Sequence, residues 1–266
     1  MKIAARILVI TGVMISPSAL AAKVIMLTPD DIKWEPFGLW HRAVLAGEPA
    51  RSGCPSTVRV KFPAGARVPE HVLEQDESFT VLSGTLQVGL GEKWDDAVLK
   101  AMSAGAFYSI PAGTSSFKTS QEEVVYQVSV IGPGGEGCPK TGPVAAVMLE
   151  PEDFNWESYG KSARRAILLG NKNKFHCPPY TGRSKLTADT RISEHESDED
   201  RIYTVLSGTL YVGIGTKWND KALKRMPAGS FFSIPAGVSR YFKTEEETEL
   251  QASVTGLPRH GAELCK

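Results

Sequence analysis

Apolar and polar residues alternate along several short stretches of the chain, which is the pattern of half-buried β-strands. The stretches in the first half are residues 57–62, 79–88, 106–110 and 124–130. Turn-forming residues interrupt or end them, as at Ser83-Gly84. Only residues 93–102 resemble a helix or an elaborated loop. Short strands at this spacing predict an all-β sandwich or closed barrel.

The same pattern occurs twice, 124 residues apart. Thr-Val-Leu-Ser-Gly-Thr-Leu stands at 80–86 and again at 204–210, and Ser-Ile-Pro-Ala-Gly stands at 109–113 and again at 233–237. Because this period is far longer than that of a solenoid repeat, each copy predicts a domain with its own core. The predicted domains are residues 23–144 and 145–266.

The chain begins in the way that exported proteins do. A basic start with Lys2 and Arg6 precedes an apolar run over residues 7–15, and Ala19-Leu20-Ala21 has the small residues of a cleavage site. The alternative is a membrane anchor, but the run is too short to cross about 30 Å of hydrocarbon. We therefore predict a cleaved signal peptide over residues 1–22, a periplasmic or secreted protein, and no membrane contact after cleavage.

The charge of the chain gives no sign of a polyanionic partner. The 30 basic and 30 acidic residues balance, and loss of Lys2 and Arg6 with the signal peptide leaves 28 basic residues and a net charge of −2. Nucleic acid and anionic lipid both attract a basic excess or a polybasic segment. The charge balance therefore gives no clue to a partner beyond the expectation that nucleic acid is not one.

The four cysteines follow the repeat, with Cys54 corresponding to Cys177 and Cys138 to Cys265. In an exported protein an even, symmetric set suggests disulfides. Of the three connectivities, only Cys54–Cys138 with Cys177–Cys265 keeps each bridge inside its repeat, and this is the predicted pairing. Each bridge would stabilise its half by a few kcal/mol, which is about the usual effect of closing such a loop.

Seven residues of the first half stand at spacings that a known family shares: Gly65, His71, Glu77, Gly84, Gly105, Pro111 and Gly113. This frame resembles the two sequence motifs of the cupin superfamily. The second half repeats it, except that Asp189 takes the place of the opening glycine. The tail of each first motif also resembles the bacterial cupins related to anti-sigma-factor sensor domains. The resemblance implies an all-β bicupin with two tandem jelly-roll (double-stranded β-helix) barrels.

The resemblance also implies a metal site in each barrel, made of two histidines, a glutamate and a third histidine. The first half has His71, Leu73, Glu77 and Ser116 at these positions. Leucine cannot coordinate and a serine hydroxyl binds a divalent ion weakly, so His71 and Glu77 could hold one metal ion only with water or outside ligands. The alternative is that they form a hydrogen-bonded pair and bind no metal.

The second half has His195, Ser197, Arg201 and Arg240 at the same positions. A guanidinium is always cationic and cannot be a ligand, so no metal is expected in this barrel. Two arginines beside one pocket could bind a carboxylate, sulfate or phosphate. The alternative is a salt-bridge cluster at the rim, with Asp198, Glu199 and Asp200 as partners.

Two further matched residues, Gln127 and Gln251, lie in the last predicted strand of each half. Facing the barrel interior, they would orient a ligand; the alternative is that they satisfy backbone groups there. The unmatched histidines are expected at the surface: His41, His176 and His260.

Three functions fit these observations. The first is an exported bicupin that binds a small, anionic metabolite, with degenerate metal sites. The second is a metal-dependent enzyme of the oxygenase, isomerase or lyase type, with His71 and Glu77 at its centre. The third is a structural role, for example in a homo-oligomer. Fold alone does not decide chemistry, and no residue is assigned a catalytic role.

Overall fold

The computed structural model describes residues 23–50, 54–132, 145–171 and 177–255. The predicted signal peptide, His176, His260, Cys138 and Cys265 lie outside these ranges. Within them the chain consists of strands and four short 3-10 helices, which are Pro29–Asp31, Asp96–Val98, Pro151–Asp153 and Asp220–Ala222. No helix in the described ranges is long and apolar enough to cross a membrane.

In the described ranges, each of the two repeats supplies eleven strands. Those of the first are β1 (Ile25–Leu27), β2 (Glu35–Phe37), β3 (Trp40–Gly47), β4 (Ser56–Phe62), β5 (Arg67–Val72), β6 (Glu77–Ser83), β7 (Leu86–Leu90), β8 (Lys100–Met102), β9 (Phe107–Ile110), β10 (Ser115–Thr119) and β11 (Val124–Val130). Those of the second are β12 (Val147–Leu149), β13 (Glu157–Ser158), β14 (Ala163–Leu169), β15 (Tyr180–Leu186), β16 (Arg191–His195), β17 (Arg201–Ser207), β18 (Thr209–Ile214), β19 (Lys224–Pro227), β20 (Phe231–Ile234), β21 (Arg240–Thr244) and β22 (Thr248–Val254).

Each barrel consists of one seven-stranded and one four-stranded antiparallel sheet. The strand orders in the first barrel are β12-β9-β6-β11-β4-β3-β2 and β5-β10-β7-β8, and in the second β1-β20-β17-β22-β15-β14-β13 and β16-β21-β18-β19. Alternate side chains point between the two sheets. Phe62 and Phe79 are among those that fill the first core, and Leu210 and Phe232 among those that fill the second. The predicted all-β class is confirmed.

The two barrels exchange their first strands. β1 comes from the first repeat but pairs with β20 of the second barrel, and β12 comes from the second repeat but pairs with β9 of the first. Phe231 of β20 is fully buried against apolar residues of the first repeat, and Phe107 of β9 is fully buried against those of the second. Each predicted domain therefore begins with a strand that completes the sheet of the other barrel.

Asp189, which replaces the opening glycine of the motif in the second repeat, still adopts the positive φ angle typical of glycine. Gly65 has φ +74° and Asp189, at the corresponding turn, has φ +56°. Aspartate is one of the few other residues that tolerate this left-handed region. Gly84 is more restricted, because a Cβ atom there would lie 2.7 Å from the carbonyl oxygen of Glu123. The turn geometry is thus the same in both copies.

Two of the sequence-based expectations need correction or refinement. Cys54 is buried and its thiol is free, so the predicted bridge from Cys54 to Cys138 is not formed. A repeat aligns cysteines in sequence but cannot show that their Cα atoms approach within bonding reach. Cys177 is disulfide-bonded, but Cys265 lies outside the described ranges, so that pairing stays a prediction. Residues 93–102 form an elaborated loop that ends in β8.

Candidate binding sites inside the two barrels

The first barrel brings three of its four motif positions together at one end. His71 of β5 stands opposite Ser116 of β10, and Glu77 begins β6. The Nδ1 atom of His71 lies 3.0 Å from the carbonyl oxygen of Pro69, so in the neutral ring Nδ1 carries the proton and Nε2 is the acceptor. Burial raises the pKa of the Glu77 carboxyl, and the charges of Lys118 and His71 offset part of this rise.

Lys118 is the interior residue that sequence reasoning missed. It is only 6% exposed, and its Nζ lies 4.5 Å from the centroid of the Phe79 ring and 5.6 Å from that of Tyr126. Burial lowers the pKa of Lys118 to about 8, although the nearby Glu77 acts in the opposite direction. The signal was available, because Lys118 follows Ser116 by two residues in a strand and both side chains therefore lie on one face.

Two hydroxyl groups of this interior have no hydrogen-bond partner among the described residues. They are Oγ of Ser116 and the phenol oxygen of Tyr108, and both residues are fully buried. Tyr108 stacks on Phe79 with ring centroids 4.3 Å apart. A buried hydroxyl without a partner costs free energy. A polar ligand or a bound water at this end of the barrel would therefore be stabilised by these two groups.

In the second barrel the buried cationic side chain of the interior is an arginine, Arg240. Arg240 is 1% exposed, and its Nη2 donates to Oγ of Ser197 and, at 3.0 Å, to the hydroxyl of Tyr203. Its Nε has no hydrogen-bond partner in the part of the chain that the structure describes. No carboxylate of these residues forms an ion pair with Arg240 either. Arg240 is therefore a buried charge that lacks a counter-ion there.

The neighbouring acids neutralise Arg201 rather than Arg240. Glu199 is buried and accepts a hydrogen bond from Nε of Arg201 at 3.0 Å. Asp200 accepts from the backbone nitrogen of Ala236 at 2.8 Å, and Asp198 is exposed. The salt-bridge alternative thus describes Arg201, whereas Arg240 has no carboxylate partner among the described residues.

His195 lies near both arginines, and their charges affect its pKa. It stands opposite Arg240 in the strand pairing, and its ring packs edge-on against Phe242 at 5.5 Å between centroids. Burial lowers the pKa of His195, the guanidiniums of Arg240 and Arg201 lower it further, and the contact with the Ser193 carbonyl only partly offsets this. At neutral pH the His195 ring is therefore largely neutral, with Nδ1 donating to the Ser193 carbonyl oxygen at 2.8 Å and Nε2 as the acceptor.

Gln127 and Gln251 do not face the barrel interiors, and both of the roles predicted for them there are corrected. Nε2 of Gln127 donates to Thr204 of the other barrel at 3.1 Å, and Nε2 of Gln251 donates to Thr80 at 2.9 Å. Each glutamine also accepts from a buried arginine of its own barrel, Arg59 or Arg183. Because Tyr126 points into the core, its strand neighbour Gln127 must point out. The two glutamines are part of the contact between the barrels.

The two barrels carry the buried cationic side chain of their interior at different positions of equivalent strands, β10 and β21. Ser116 of the first barrel corresponds to Arg240 of the second, and Lys118 of the first corresponds to Phe242 of the second. The lysine reaches over Phe79, whereas the arginine reaches Tyr203, the residue that corresponds to Phe79. The scaffold is shared, but each barrel presents a different charged group.

Solved structures share this architecture, although no protein-family model and no curated protein match the chain. A cupin 2 conserved barrel domain protein from Leptotrichia buccalis superposes with a TM-score of 0.60 at 12% identity, covering 88% of this chain and 97% of its own. An oxalate decarboxylase from Lactobacillus farciminis, solved as a formate complex, gives 0.61 at 12% identity with 87% and 86% covered. AerE from Microcystis aeruginosa gives 0.59 at 14% identity with 86% and 98% covered.

These likenesses show the fold. The chain has the architecture of cupin-domain proteins with two jelly-roll barrels, and the predicted jelly-roll fold is confirmed. The finer relation to cupins near anti-sigma-factor sensor domains stays a prediction.

The residues of the first barrel do not fit the metal ion that the sequence resemblance implies. One neighbour, the oxalate decarboxylase of Bacillus subtilis, is described through its Mn(II) centres. Here Leu73 packs in the hydrophobic core at one motif position, and the ammonium of Lys118 lies near Glu77. No group of three or more His, Cys, Asp or Glu residues in the described ranges could hold a metal. A cation would meet two ligands, His71 and Glu77, and a competing positive charge.

Of the three histidines expected at the surface, one lies in the described ranges. His41 is exposed on β3, as expected for a surface histidine. His176 and His260 lie outside the described residues, so their placement stays a prediction.

Proposed function

We propose that this protein is an exported bicupin that binds a small anion of the carboxylate class in its second barrel and does no metal chemistry there. The observation that carries the proposal is the buried guanidinium of Arg240, which has no carboxylate partner among the described residues and an unpartnered Nε. Buried charges in proteins are paired as a rule. An anionic ligand would supply the missing partner. Export rests on the sequence of residues 1–22 alone.

The groups around Arg240 suit a carboxylate. A guanidinium offers adjacent N–H groups that match the two oxygens of a carboxylate. The hydroxyls of Ser197 and Tyr203 already contact Arg240, and His195 stands opposite it. The neighbouring oxalate decarboxylase, which has this fold, was solved with formate, itself a carboxylate.

The aromatic residues of the second core limit the size of the ligand. Tyr203 stacks on Phe232 at 4.6 Å between centroids, and Phe242 packs against both at 5.8 and 6.1 Å. Tyr203, whose hydroxyl accepts from Arg240, is therefore packed among aromatic rings, which leaves little space beside the guanidinium. A mono- or dicarboxylate of a few carbons is therefore the favoured class over a nucleotide or a sugar phosphate.

Anion binding is expected to raise the thermal stability of the mature protein. At a concentration of about 100 times Kd, a ligand stabilises the folded state by about 2.7 kcal/mol. For a chain of this length that corresponds to a rise in Tm of about 5 to 10 °C. The measurement is a thermal-shift panel with oxalate, malonate, acetate, phosphate and the neutral oxamide, at constant ionic strength with chloride.

Oxalate or malonate should raise Tm well above the chloride and oxamide controls. A panel in which no anion exceeds the chloride control would contradict the proposal. Mn²⁺ and a chelator belong in the same panel, because neither should shift Tm. If manganese co-purifies at about one ion per chain and is lost in His71→Ala, the first barrel is a metal centre and the metal-dependent enzyme becomes the better explanation.

A further inference from the structure

We infer that a cleft in the β13–β14 hairpin of the second repeat is a separate binding site, and that it takes a free α-amino acid with a small aliphatic side chain. The cleft has a volume of about 320 Å³ and is lined by Asn155, Glu157, Arg165, Ile167 and Gly170. Pockets for small molecules usually begin at about 300 Å³, so a small metabolite has room here. None of the five residues belongs to the anion site proposed around Arg240.

Two opposite charges line this cleft without neutralising each other. Glu157 of β13 and Arg165 of β14 are Cα partners in the antiparallel pairing, so their side chains leave the sheet on one face. Arg165 is half-buried and forms no ion pair with a carboxylate of the described residues. Its guanidinium lies over the Tyr159 ring instead, with Cζ 4.3 Å from the ring centroid. Both charges are therefore available to a ligand.

The first repeat has the same pair in a closed form. Glu35 and Arg42 are Cα partners in the corresponding hairpin, and Nε of Arg42 donates to Oε1 of Glu35 at 2.7 Å. Arg42 also lies over an aromatic ring, that of Phe37. Six residues separate the pair in the first repeat (36–41) and seven in the second (158–164). The open pair is thus a difference between two copies of one hairpin.

The charge pattern of the cleft matches a zwitterion. An α-amino acid carries a carboxylate and an ammonium on one carbon atom. The guanidinium of Arg165 can donate two parallel hydrogen bonds to the carboxylate, and the Glu157 carboxylate can accept from the ammonium. A simple anion would be repelled by Glu157, and a simple cation by Arg165. The pair therefore favours a ligand that bears both charges.

The rest of the cleft suits a short aliphatic side chain. Ile167 is half-buried and supplies an apolar surface. Gly170 forms its part of the wall from backbone alone, because a Cβ atom there would lie 2.3 Å from the carbonyl oxygen of Pro179. L-Valine, which combines both charges with a small branched side chain, is therefore the probe.

The test is a ¹⁵N NMR titration of the protein with L-valine, isovalerate and isobutylamine at constant ionic strength. Isovalerate lacks the ammonium of valine, and isobutylamine lacks its carboxylate. We expect L-valine to shift the backbone amides of residues 155–158 and 165–170. Its Kd should be about tenfold lower than that of either comparison compound, which is the usual effect of one hydrogen bond to a charged group.

Matched variants in the two repeats show which charges bind. Arg165→Gln and Glu157→Gln should each weaken L-valine binding by about tenfold. Arg42→Gln and Glu35→Gln are the controls and should leave the affinity unchanged, because that pair is closed in the other repeat. Arg240→Gln should also leave it unchanged, so the outcome for this cleft is independent of the anion site.

Three results would overturn the inference. The first is the absence of L-valine shifts at residues 155–158 and 165–170. The second is isovalerate binding as tightly as L-valine with no effect of Glu157→Gln, which would mean that the cleft takes a simple anion. The third is loss of L-valine binding in Arg240→Gln, which would place the ligand in the interior of the barrel.

Discussion

In Arg240→Gln, the dissociation constant for oxalate is expected to rise by about a hundredfold. Removal of one partner of a buried charge pair costs about 2–5 kcal/mol of binding free energy, or about 30-fold to several thousandfold in affinity. Glutamine keeps a donor for the hydroxyls of Ser197 and Tyr203 but removes the positive charge. Isothermal titration calorimetry on the wild-type protein and the variant measures the change directly.

The unliganded stability of the same variant distinguishes an anion site from a structural arginine. Because Arg240 has no carboxylate partner in the described part of the chain, its loss should leave the free energy of unfolding unchanged or raise it. Arg225→Gln is the control, since Arg225 is an exposed arginine of the same barrel. A marked loss of stability in Arg240→Gln with unchanged oxalate affinity would mean that the arginine only supports the fold.

Phe231→Ala is expected to destabilise the protein by about 3–5 kcal/mol, the usual cost of removing a buried phenylalanine. Phe231 is fully buried, and it packs where β1 of the first repeat completes the sheet of the second barrel. The loss should therefore appear both in urea unfolding and as faster hydrogen exchange at residues 25–27. Phe107→Ala, at the corresponding place in the other barrel, should behave in the same way.

An exposed phenylalanine provides the comparison for this effect. Phe37 is 44% exposed, and Phe37→Ala should change stability by less than about 1 kcal/mol. If Phe231→Ala is no more destabilising than Phe37→Ala, or if residues 25–27 exchange as in the wild type, the strand exchange does not hold the barrels together.

The fold was predictable because its signals are local. Alternation in residues 57–62 and 124–130 marks half-buried strands, and these become β4 and β11. The repeat then doubles the architecture. The strand exchange was not predictable, since pairing of β1 with β20 joins residues about two hundred positions apart and has no local pattern.

The candidate sites were predictable only where a motif marked them. His71, Glu77, Arg201 and Arg240 stand at motif positions, and the structure places them at the barrel ends. Lys118 lies outside both motifs, so only its position two residues after Ser116 could have identified it. Gln127 was misplaced because the match between repeats was given more weight than its position next to Tyr126, whose ring fills the core.

Sequence cannot show which acid neutralises which arginine. Glu199 and Asp200 are adjacent, yet one pairs with Arg201 and the other holds the backbone of Ala236. That difference follows from the direction of each side chain. It leaves Arg240 without a carboxylate partner among the described residues, and it is the reason we propose an anion site rather than a closed salt-bridge cluster.

An NMR titration of His195 with and without oxalate tests the anion site most directly. His195 and His71 can be assigned from the variants His195→Gln and His71→Gln. In the free protein, burial and the two guanidiniums hold the pKa of His195 below its ordinary value of 6.5. A bound anion offsets the guanidinium charge and should raise this pKa, so that oxalate affinity increases as pH falls through the window between the raised and the free values. The signals of His71, in the other barrel, should not move. A His195 pKa that is unchanged at saturating oxalate, or a response at His71 instead, would contradict an anion site in the second barrel.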